Sequence, residues 1–301
     1  MARALLISNP AAARNSPAAL DGVLRELHAA GWNTEPVSTT GPGDARLLAE
    51  RGVRDGVEIV AVFGGDGTTM QAAAALVGTD VALGVIPGGT GNLLAGNLRV
   101  PGNPVRAARA LARGSARRFD LGRVDRPGSV EYFAVACGAG YDARVMAATP
   151  AALKRRWGMA AYVATTLRLI GNIRSASHRI VIDGVRYDAH AAMVLVANCG
   201  EVIPPLIRLR PGILPDDGLL DVVVMRADNF SQSVRAVWDL LRVAPGLPGE
   251  GTWLGYARGR QISVESDPIE PVQLDGEPGG ETPFTVTVVP GAIRIVVPAR
   301  G

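Results

Sequence analysis

The chain has 301 residues, 48% hydrophobic and 20% charged, with a formal net charge of +3. That supplies core material for two domains, which excludes a disordered or fibrous chain, and so small a positive excess gives no case for nucleic acid as a partner. The two cysteines, Cys137 and Cys199, lie far apart in apolar segments, which excludes a disulfide framework or metal spacing and marks both as buried thiols.

In chain order, residues 4–8 read as a first strand, closed by Asn9-Pro10 and a small-residue loop to Asn15. Ser16 is an N-cap candidate and Pro17 suits a first helical turn. Leu20, Val23, Leu24 and Leu27 follow at helical spacing, and Gly31 ends that helix. Residues 33–38 suit a second strand and 44–51 a second helix. Two strand–turn–helix units come next, with apolar runs at 58–63 and 81–86, and a helix near 104–113 closes the region. Strands alternating with helices predict a parallel α/β sheet.

After about residue 119 the texture changes. Strands are expected at 130–137, 178–182, 191–197, 219–225, 261–265, 284–289 and 292–297, many separated by short Gly, Pro or Asp turns. A mainly antiparallel β domain fits, interrupted by helices at about 151–170 and 230–243, with long Gly-Pro-rich loops at 201–218 and 244–252. The expected division is 1–125 with a returning strand at 290–301, and 126–289. No apolar run reaches the roughly 18–20 residues of a membrane span, and Met1 to Pro10 is too short for a signal peptide. A cytoplasmic protein is expected, with peripheral membrane contact allowed.

Chemistry concentrates first in two glycine-rich turns, Gly64-Gly65-Asp66-Gly67-Thr68 and Pro87-Gly88-Gly89-Thr90-Gly91-Asn92. Each follows a β-branched apolar run and leads into a helix-like segment. Glycine lets backbone approach a ligand closely, and helix N-termini offer amide donors to phosphate. A later cluster, Gln273-Leu274-Asp275-Gly276-Glu277, reads either as an Asp-Gly hairpin turn or as paired acids supplying a general base and a metal-facing carboxylate. Leu214 to Asp221 reads either as a polar turn before a strand or as a small oxygen-ligand site for a hard cation. Lys154-Arg155-Arg156-Trp157 suits a solvated helix start or a membrane-surface patch. The stripe Phe230, Val234, Val237, Trp238 and Leu241 suits core packing or an acyl-chain entrance. His28, His178 and His190 read as structural or surface residues.

Taken in order, these motifs resemble the diacylglycerol-kinase catalytic-domain family, specifically its bacterial soluble lipid kinases. The resemblance spans nearly the whole chain. It rests on the two glycine turns, on Phe119-Asp120-Leu121-Gly122, on Gly138-Ala139-Gly140-Tyr141-Asp142-Ala143, on Asp217-Gly218-Leu219 and on Asp275-Gly276-Glu277. It implies an N-terminal α/β domain like those of NAD kinase and phosphofructokinase, a C-terminal β-sandwich, and an active site in the cleft between them. It implies ATP and Mg²⁺ as cofactors and a lipid hydroxyl as acceptor. ATP contacts are implied for Asn9, Pro10, Arg14, Thr40, Gly64, Gly65, Asp66, Gly67, Thr68, Thr69, Gln71, Gly89, Thr90 and Asn92. Glu277 is implied as the proton acceptor, with Asp275 and Asp66 holding the catalytic Mg²⁺ or sharing that role. A structural Mg²⁺ is implied on the Leu214 carbonyl, Asp217 and the Leu219 carbonyl, with Asp120 in its network. The chain departs from the family pattern at Arg14, Gly158-Met159 and Ala136-Cys137. A kinase for NAD or a soluble alcohol, and a catalytically weak nucleotide- or lipid-binding regulator, are the alternatives. A homodimer through an exposed strand edge is open.

Overall fold

A computed structural model describes residues 2–126, 129–149, 165, 173–204, 207–209, 212–227, 231–232 and 253–299. The helices expected at 151–170 and 230–243, the 154–157 patch and the loop at 244–252 lie outside them, apart from isolated positions. The chain divides into two compact units, Met1–Phe119 with Gly291–Gly301, and Asp120–Pro290.

The first unit is built as the alternating pattern predicts. Its elements are β1 (Arg3–Ser8), α1 (Pro17–Ala29), β2 (Asn33–Ser38), α2 (Asp44–Arg54), β3 (Ile59–Gly64), α3 (Asp66–Leu76), β4 (Ala82–Pro87), α4 (Leu93–Asn97) and α5 (Pro104–Ala112). The Ser16 hydroxyl caps α1 by accepting the Ala19 N–H at 3.2 Å, and Asn103 caps α5 by accepting that of Arg106 at 3.1 Å. Each cap is followed by a proline at the first helical position, where no N–H is missed. The strands pair in parallel in the order β2-β1-β3-β4. Strands β3 and β4 are buried almost throughout, which is why they read as continuous apolar runs rather than alternating ones. Helix α1 packs with α5, and α2 with α3. The chain steps from β1 to β2 in one direction and then to β3 on the other side of β1. The carboxyl ends of β1 and β3 therefore form a topological switch point, where open α/β sheets place their ligands.

The second unit contains two antiparallel sheets. Strand β5 (Ser115–Arg126) leads into it, followed by β6 (Ser129–Phe133), β7 (Ala136–Gly140), α6 (Tyr141–Ala148), β8 (Ala176–Ile182), β9 (Val185–Ala191) and β10 (Met193–Ala197). A small hairpin, β11 (Glu201–Ile203) and β12 (Ile207–Arg208), occupies part of the expected loop at 201–218. Then come β13 (Leu220–Met225), β14 (Leu254–Gly259), β15 (Gln261–Asp267), β16 (Pro271–Leu274), β17 (Glu277–Glu281) and β18 (Phe284–Val297). One sheet runs β14-β13-β10-β7-β16-β17, and β18, β15, β8 and β9 pair in that order in the other. Alternating residues of both, among them Val194, Val196, Val222, Ile180, Ile262, Val264 and Val286, share one core with Phe133 and Val124. This is the antiparallel β domain expected from the strand pattern, in the form of the β-sandwich that the resemblance implies.

Four expected strands divide differently. The strand expected at 130–137 is broken into β6 and β7, because the amides of Ala134, Val135 and Ala136 all donate to the Asp275 carboxylate. The one expected at 191–197 is two, since Ala192 turns aside to donate to the Met225 carbonyl and accept from the Tyr141 amide. Conversely, Pro290-Gly291 does not end a strand. The two strands expected at 284–289 and 292–297 are one, β18, whose first half pairs with β15 and whose second half pairs in parallel with β4. Pro290 and Gly291, at φ +57°, fall between the β15 and β4 registers.

Candidate active site

The two glycine turns leave β3 and β4 at the same sheet edge and pack backbone against backbone. The Gly88 amide donates to the Gly64 carbonyl at 2.8 Å. A Cβ on Gly89 would come within 2.7 Å of the Gly65 Cα, and one on Gly88 within 3.2 Å of the Gly64 Cα. Helix α3 begins at Asp66 with Gly65 as an N-cap that offers no side-chain acceptor. A helix start of this kind presents backbone amides outward. The turn after β1 joins it: Asn9 donates its Nδ2 to the Thr68 hydroxyl at 2.9 Å, while its own Oδ1 accepts the Ala11 amide. Thr68 thereby accepts from Asn9 and keeps its own hydroxyl hydrogen for another acceptor. Asn9, Gly65, Gly67 and Thr68 are thus brought together at the switch point between β1 and β3.

Other expected contacts have internal duties. The Thr69 hydroxyl is buried and donates to the Gly65 carbonyl at 2.9 Å. Asn92, in the left-handed region at φ 54°, accepts the Gly89 amide and donates to the Gly89 carbonyl, so it staples the second turn shut. The Thr40 hydroxyl and amide both donate to Asp44, which together with the Gly41 amide hold that carboxyl below its ordinary range. Gln71 accepts the Gly43 amide at 3.2 Å and so ties the Thr40 loop to α3. Arg14 donates its amide to the Gly88 carbonyl and its guanidinium to the Gly102 carbonyl, both at 2.8 Å. Pro10 and Thr90 lie in the turns after β1 and β4. Asp66 is half-buried, with its Oδ2 toward Gly91, where a Cβ would approach to 2.9 Å. Of these, Asn92 and the Arg14 amide hold the second glycine turn directly.

In the second unit the cluster at 273–277 is the β16–β17 hairpin. Asp275 and Gly276 occupy its turn with φ of 47° and 85°, the paired left-handed geometry that favours Asp-Gly. The hairpin reading and the acid reading therefore apply to the same residues. Asp275 is buried and accepts three amides, from Ala134 at 2.7 Å, Val135 at 2.8 Å and Ala136 at 2.9 Å. Burial pushes its carboxyl up to about 6 against the pull of those amides. So engaged, Asp275 does not fit a metal ligand and acts as the clamp between the hairpin and residues 134–136. Ala136-Cys137, a departure from the family pattern, costs this clamp nothing because the contact is made by backbone. Glu277, by contrast, is exposed at the start of β17. Gln273 extends the network: it accepts the Gly276 amide at 2.7 Å and donates to Asp142 at 3.0 Å. Asn198 continues it on the other side, donating to the carbonyls of Asp120 and Ala134.

Asp142 is half-buried with its Oδ1 enclosed, and desolvation pushes its carboxyl from 3.8 up to about 6, opposed by the Gln273 hydrogen bond. The folded chain then holds a proton between about pH 4 and 6 that the unfolded chain has released, so this group's contribution to stability falls as pH rises through that window. In urea unfolding, the stability of the wild type minus that of Asp142→Asn should fall from about pH 4 to 7 and be flat above. A difference independent of pH would remove this assignment.

The stretch 214–221 is held from within. Asp120, buried, accepts the Gly218 amide at 2.7 Å and donates its own amide to the Pro215 carbonyl. Asp217 accepts the Leu219 amide at 3.1 Å through Oδ1 and the Arg258 guanidinium through Oδ2. The same guanidinium reaches Asp221 at 3.1 Å. Leu214 is exposed. Among the described residues no group of three or more His, Cys, Asp or Glu side chains is arranged to hold a metal. With Asp217 already neutralised by Arg258, this donor set does not fit a divalent ion as it stands. Arg258 gave no signal in the sequence, since only strand register brings it to Asp217 and Asp221. Both thiols are buried and free, and burial raises them well above their ordinary range.

Comparison with known proteins decides the family. Residues 3–124 match the model of the diacylglycerol kinase catalytic domain, and residues 135–297 that of the YegS C-terminal NAD kinase beta sandwich-like domain. The chain belongs to the diacylglycerol kinase family. This kinase chain is 30% identical over 265 residues to a Chromohalobacter salexigens protein named "Probable lipid kinase YegS-like", covering 85% of this chain and 81% of that one. It is 28% identical over 302 residues to the diacylglycerol kinase of Bacillus subtilis (strain 168), covering 99% and 97%. A crystal structure of a diacylglycerol kinase from Bacillus anthracis str. Sterne shares the fold, with a TM-score of 0.76 and 21% identity over 98% of this chain and 96% of that one. The enzyme class is therefore that of a lipid kinase. Among the described residues no helix is long and apolar enough to cross a membrane.

Substitutions at two glycines of this kinase test whether packing and nucleotide binding can be separated at these turns. Gly89→Ala pushes a methyl into the Gly65 backbone, so stability should drop by about 1–3 kcal/mol and ATP affinity should fall with it. A methyl on Gly67 meets nothing within 4 Å. Gly67→Ala should therefore leave stability intact or raise it by up to about 1 kcal/mol, and still weaken ATP binding by calorimetry. Unchanged ATP affinity in Gly67→Ala would move the phosphate away from the start of α3.

Proposed function

We propose that this lipid kinase transfers the γ-phosphoryl group of ATP, supplied as its Mg²⁺ complex, to a hydroxyl of diacylglycerol or a related lipid. The observation that carries the reading is the glycine-turn pair, packed backbone to backbone around an α3 start that has no side-chain cap. In this reading the amides of Gly65, Gly67 and Thr68 and the Thr68 hydroxyl bind phosphate oxygens, Asn9 orients that hydroxyl, and Arg14 and Asp44 keep the surrounding turns in place. The bound Mg²⁺ neutralises phosphate charge, on which phosphoryl transfer chiefly depends together with positioning. Asp66 at the head of α3, whose Oδ1 accepts the Leu94 amide at 3.4 Å, is the carboxylate that this reading assigns to it.

Glu277 is the proposed base. Its carboxylate takes the proton of the lipid hydroxyl as the new oxygen–phosphorus bond forms, and the bond from the γ-phosphorus to its bridging oxygen breaks to release ADP. Asp275 keeps the Glu277 turn in register by clamping it to residues 134–136, and Gln273 does the same through Gly276. The names of the relatives, lipid kinase and diacylglycerol kinase, favour a lipid acceptor over NAD or a soluble alcohol. Such an acceptor resides in a bilayer, so the protein must meet a membrane surface from outside it.

The test is purified protein with ATP and a panel of lipids in mixed vesicles, with product identified by mass spectrometry. A lipid gaining one phosphate on a free hydroxyl supports the reading. Phosphorylation of NAD or a soluble alcohol alone, or ATP binding without turnover on any lipid, replaces it with one of the alternatives.

A further inference from the structure

The 214–221 stretch already contains a cation. Asp221 and Arg258 stand directly opposite each other in the β13–β14 register, so the guanidinium is delivered to this spot by strand pairing and not by chance of a flexible loop. From there its Nε reaches Asp221 at 3.1 Å and its terminal nitrogen reaches Asp217. The Asp221 side chain is 7% exposed and that of Asp217 23%. Carboxylates this enclosed need a counter-charge, and a planar guanidinium can serve two of them at once. Backbone amides also reach two of the neighbouring carboxylates: Asp217 receives the Leu219 amide and Asp120 receives the Gly218 amide. A hard divalent ion would need the same oxygens at about 2.0–2.6 Å, beside a fixed positive charge.

We propose that Arg258 is the resident cation of this loop, occupying the place that the family resemblance gives to a structural Mg²⁺, so that the loop is ordered without a divalent metal. Asp217 and Asp221 are then bridged by the guanidinium, and Asp120 fixes the loop through Gly218 and Pro215. The Mg²⁺ that accompanies ATP is a separate matter, and this inference does not depend on the substrate reading.

The test is thermal unfolding of the full chain without nucleotide, in millimolar MgCl₂ and in excess EDTA. The wild type should melt at the same temperature in both, within about 1 °C. Arg258→Met should melt about 5–10 °C lower in EDTA. Mg²⁺ should recover part of that loss, and the recovery should vanish in the Arg258→Met, Asp217→Asn double variant. Arg258→Lys should fall between, since a point charge cannot bridge both carboxylates. A wild type that loses several degrees in EDTA, with that loss absent in Asp217→Asn, would overturn the proposal without any Arg258 variant having to fold. So would an Arg258→Met chain as stable as the wild type, or one indifferent to Mg²⁺. A wild-type Mg²⁺ response that Asp217→Asn retains arises elsewhere and agrees with the proposal.

Discussion

Glu277→Gln is expected to lower lipid phosphorylation by about 10²–10⁴-fold in kcat while ATP affinity and stability stay as in the wild type. The size follows from losing general-base catalysis alone, because glutamine keeps the volume and hydrogen-bonding reach of the side chain but cannot take a proton. The residue is exposed at the head of β17, and exposed substitutions away from caps and networks change stability by no more than about 0.5 kcal/mol. In this reading ATP is held by the glycine turns and not by Glu277, so ATP binding should not register the change. Steady-state rates on mixed micelles, paired with calorimetric ATP titration, make the check. If turnover survives, the hydroxyl proton has another acceptor and Glu277 is only a turn residue.

Asp275→Ala is expected to destabilise the second unit by about 3–5 kcal/mol. Its carboxylate is the acceptor for three consecutive buried amides. An orphaned buried donor costs about 1–3 kcal/mol, and partial relaxation keeps three of them from adding in full. Asp275→Asn should be milder but still destabilising, since its amide nitrogen must face a backbone N–H wherever it is turned. Hydrogen exchange at Ala134, Val135 and Ala136 should accelerate in both variants. Wild-type protection at those amides in Asp275→Ala would show that they have another acceptor. Reduced activity in these variants would then trace to a disordered Glu277 turn rather than to a lost metal ligand.

The α/β unit was legible because its signals are local. Alternating apolar runs, Ser16-Pro17 at the start of α1 and glycine turns at strand ends each act within a few residues, and the structure has them where the pattern puts them. The second unit was legible in type but less so in detail. Strand β17, Glu-Pro-Gly-Gly-Glu, has no strand propensity and exists because the Asp275-Gly276 turn folds it back onto β16. Strand β9, Val-Arg-Tyr-Asp-Ala-His-Ala, leaves even Val185 and Tyr187 exposed because it is an edge that needs little core contact. The break between β6 and β7 is set by a carboxylate some 140 positions away, which no local window contains.

The candidate site divides along the same line. Asn9, Gly65, Gly67 and Thr68 lie in turns whose spacing announces them, and they meet at one sheet edge. The duties of Asp275, Asn92 and Asp217 are decided by partners distant in sequence or by φ values, so their residue types alone could not separate ligand from scaffold. Arg258 belongs to this second kind, one arginine among many until β13 and β14 are paired.

The central claim is that the glycine-turn unit and Glu277 together make a lipid kinase. It is tested most directly by incubating the purified chain with ATP labelled at the γ-phosphate, Mg²⁺ and diacylglycerol-containing vesicles, then partitioning the products. The account predicts label in the organic phase, lost in Glu277→Gln and weakened in Gly67→Ala. Label confined to the aqueous phase, or organic-phase label undiminished in Glu277→Gln, would contradict it.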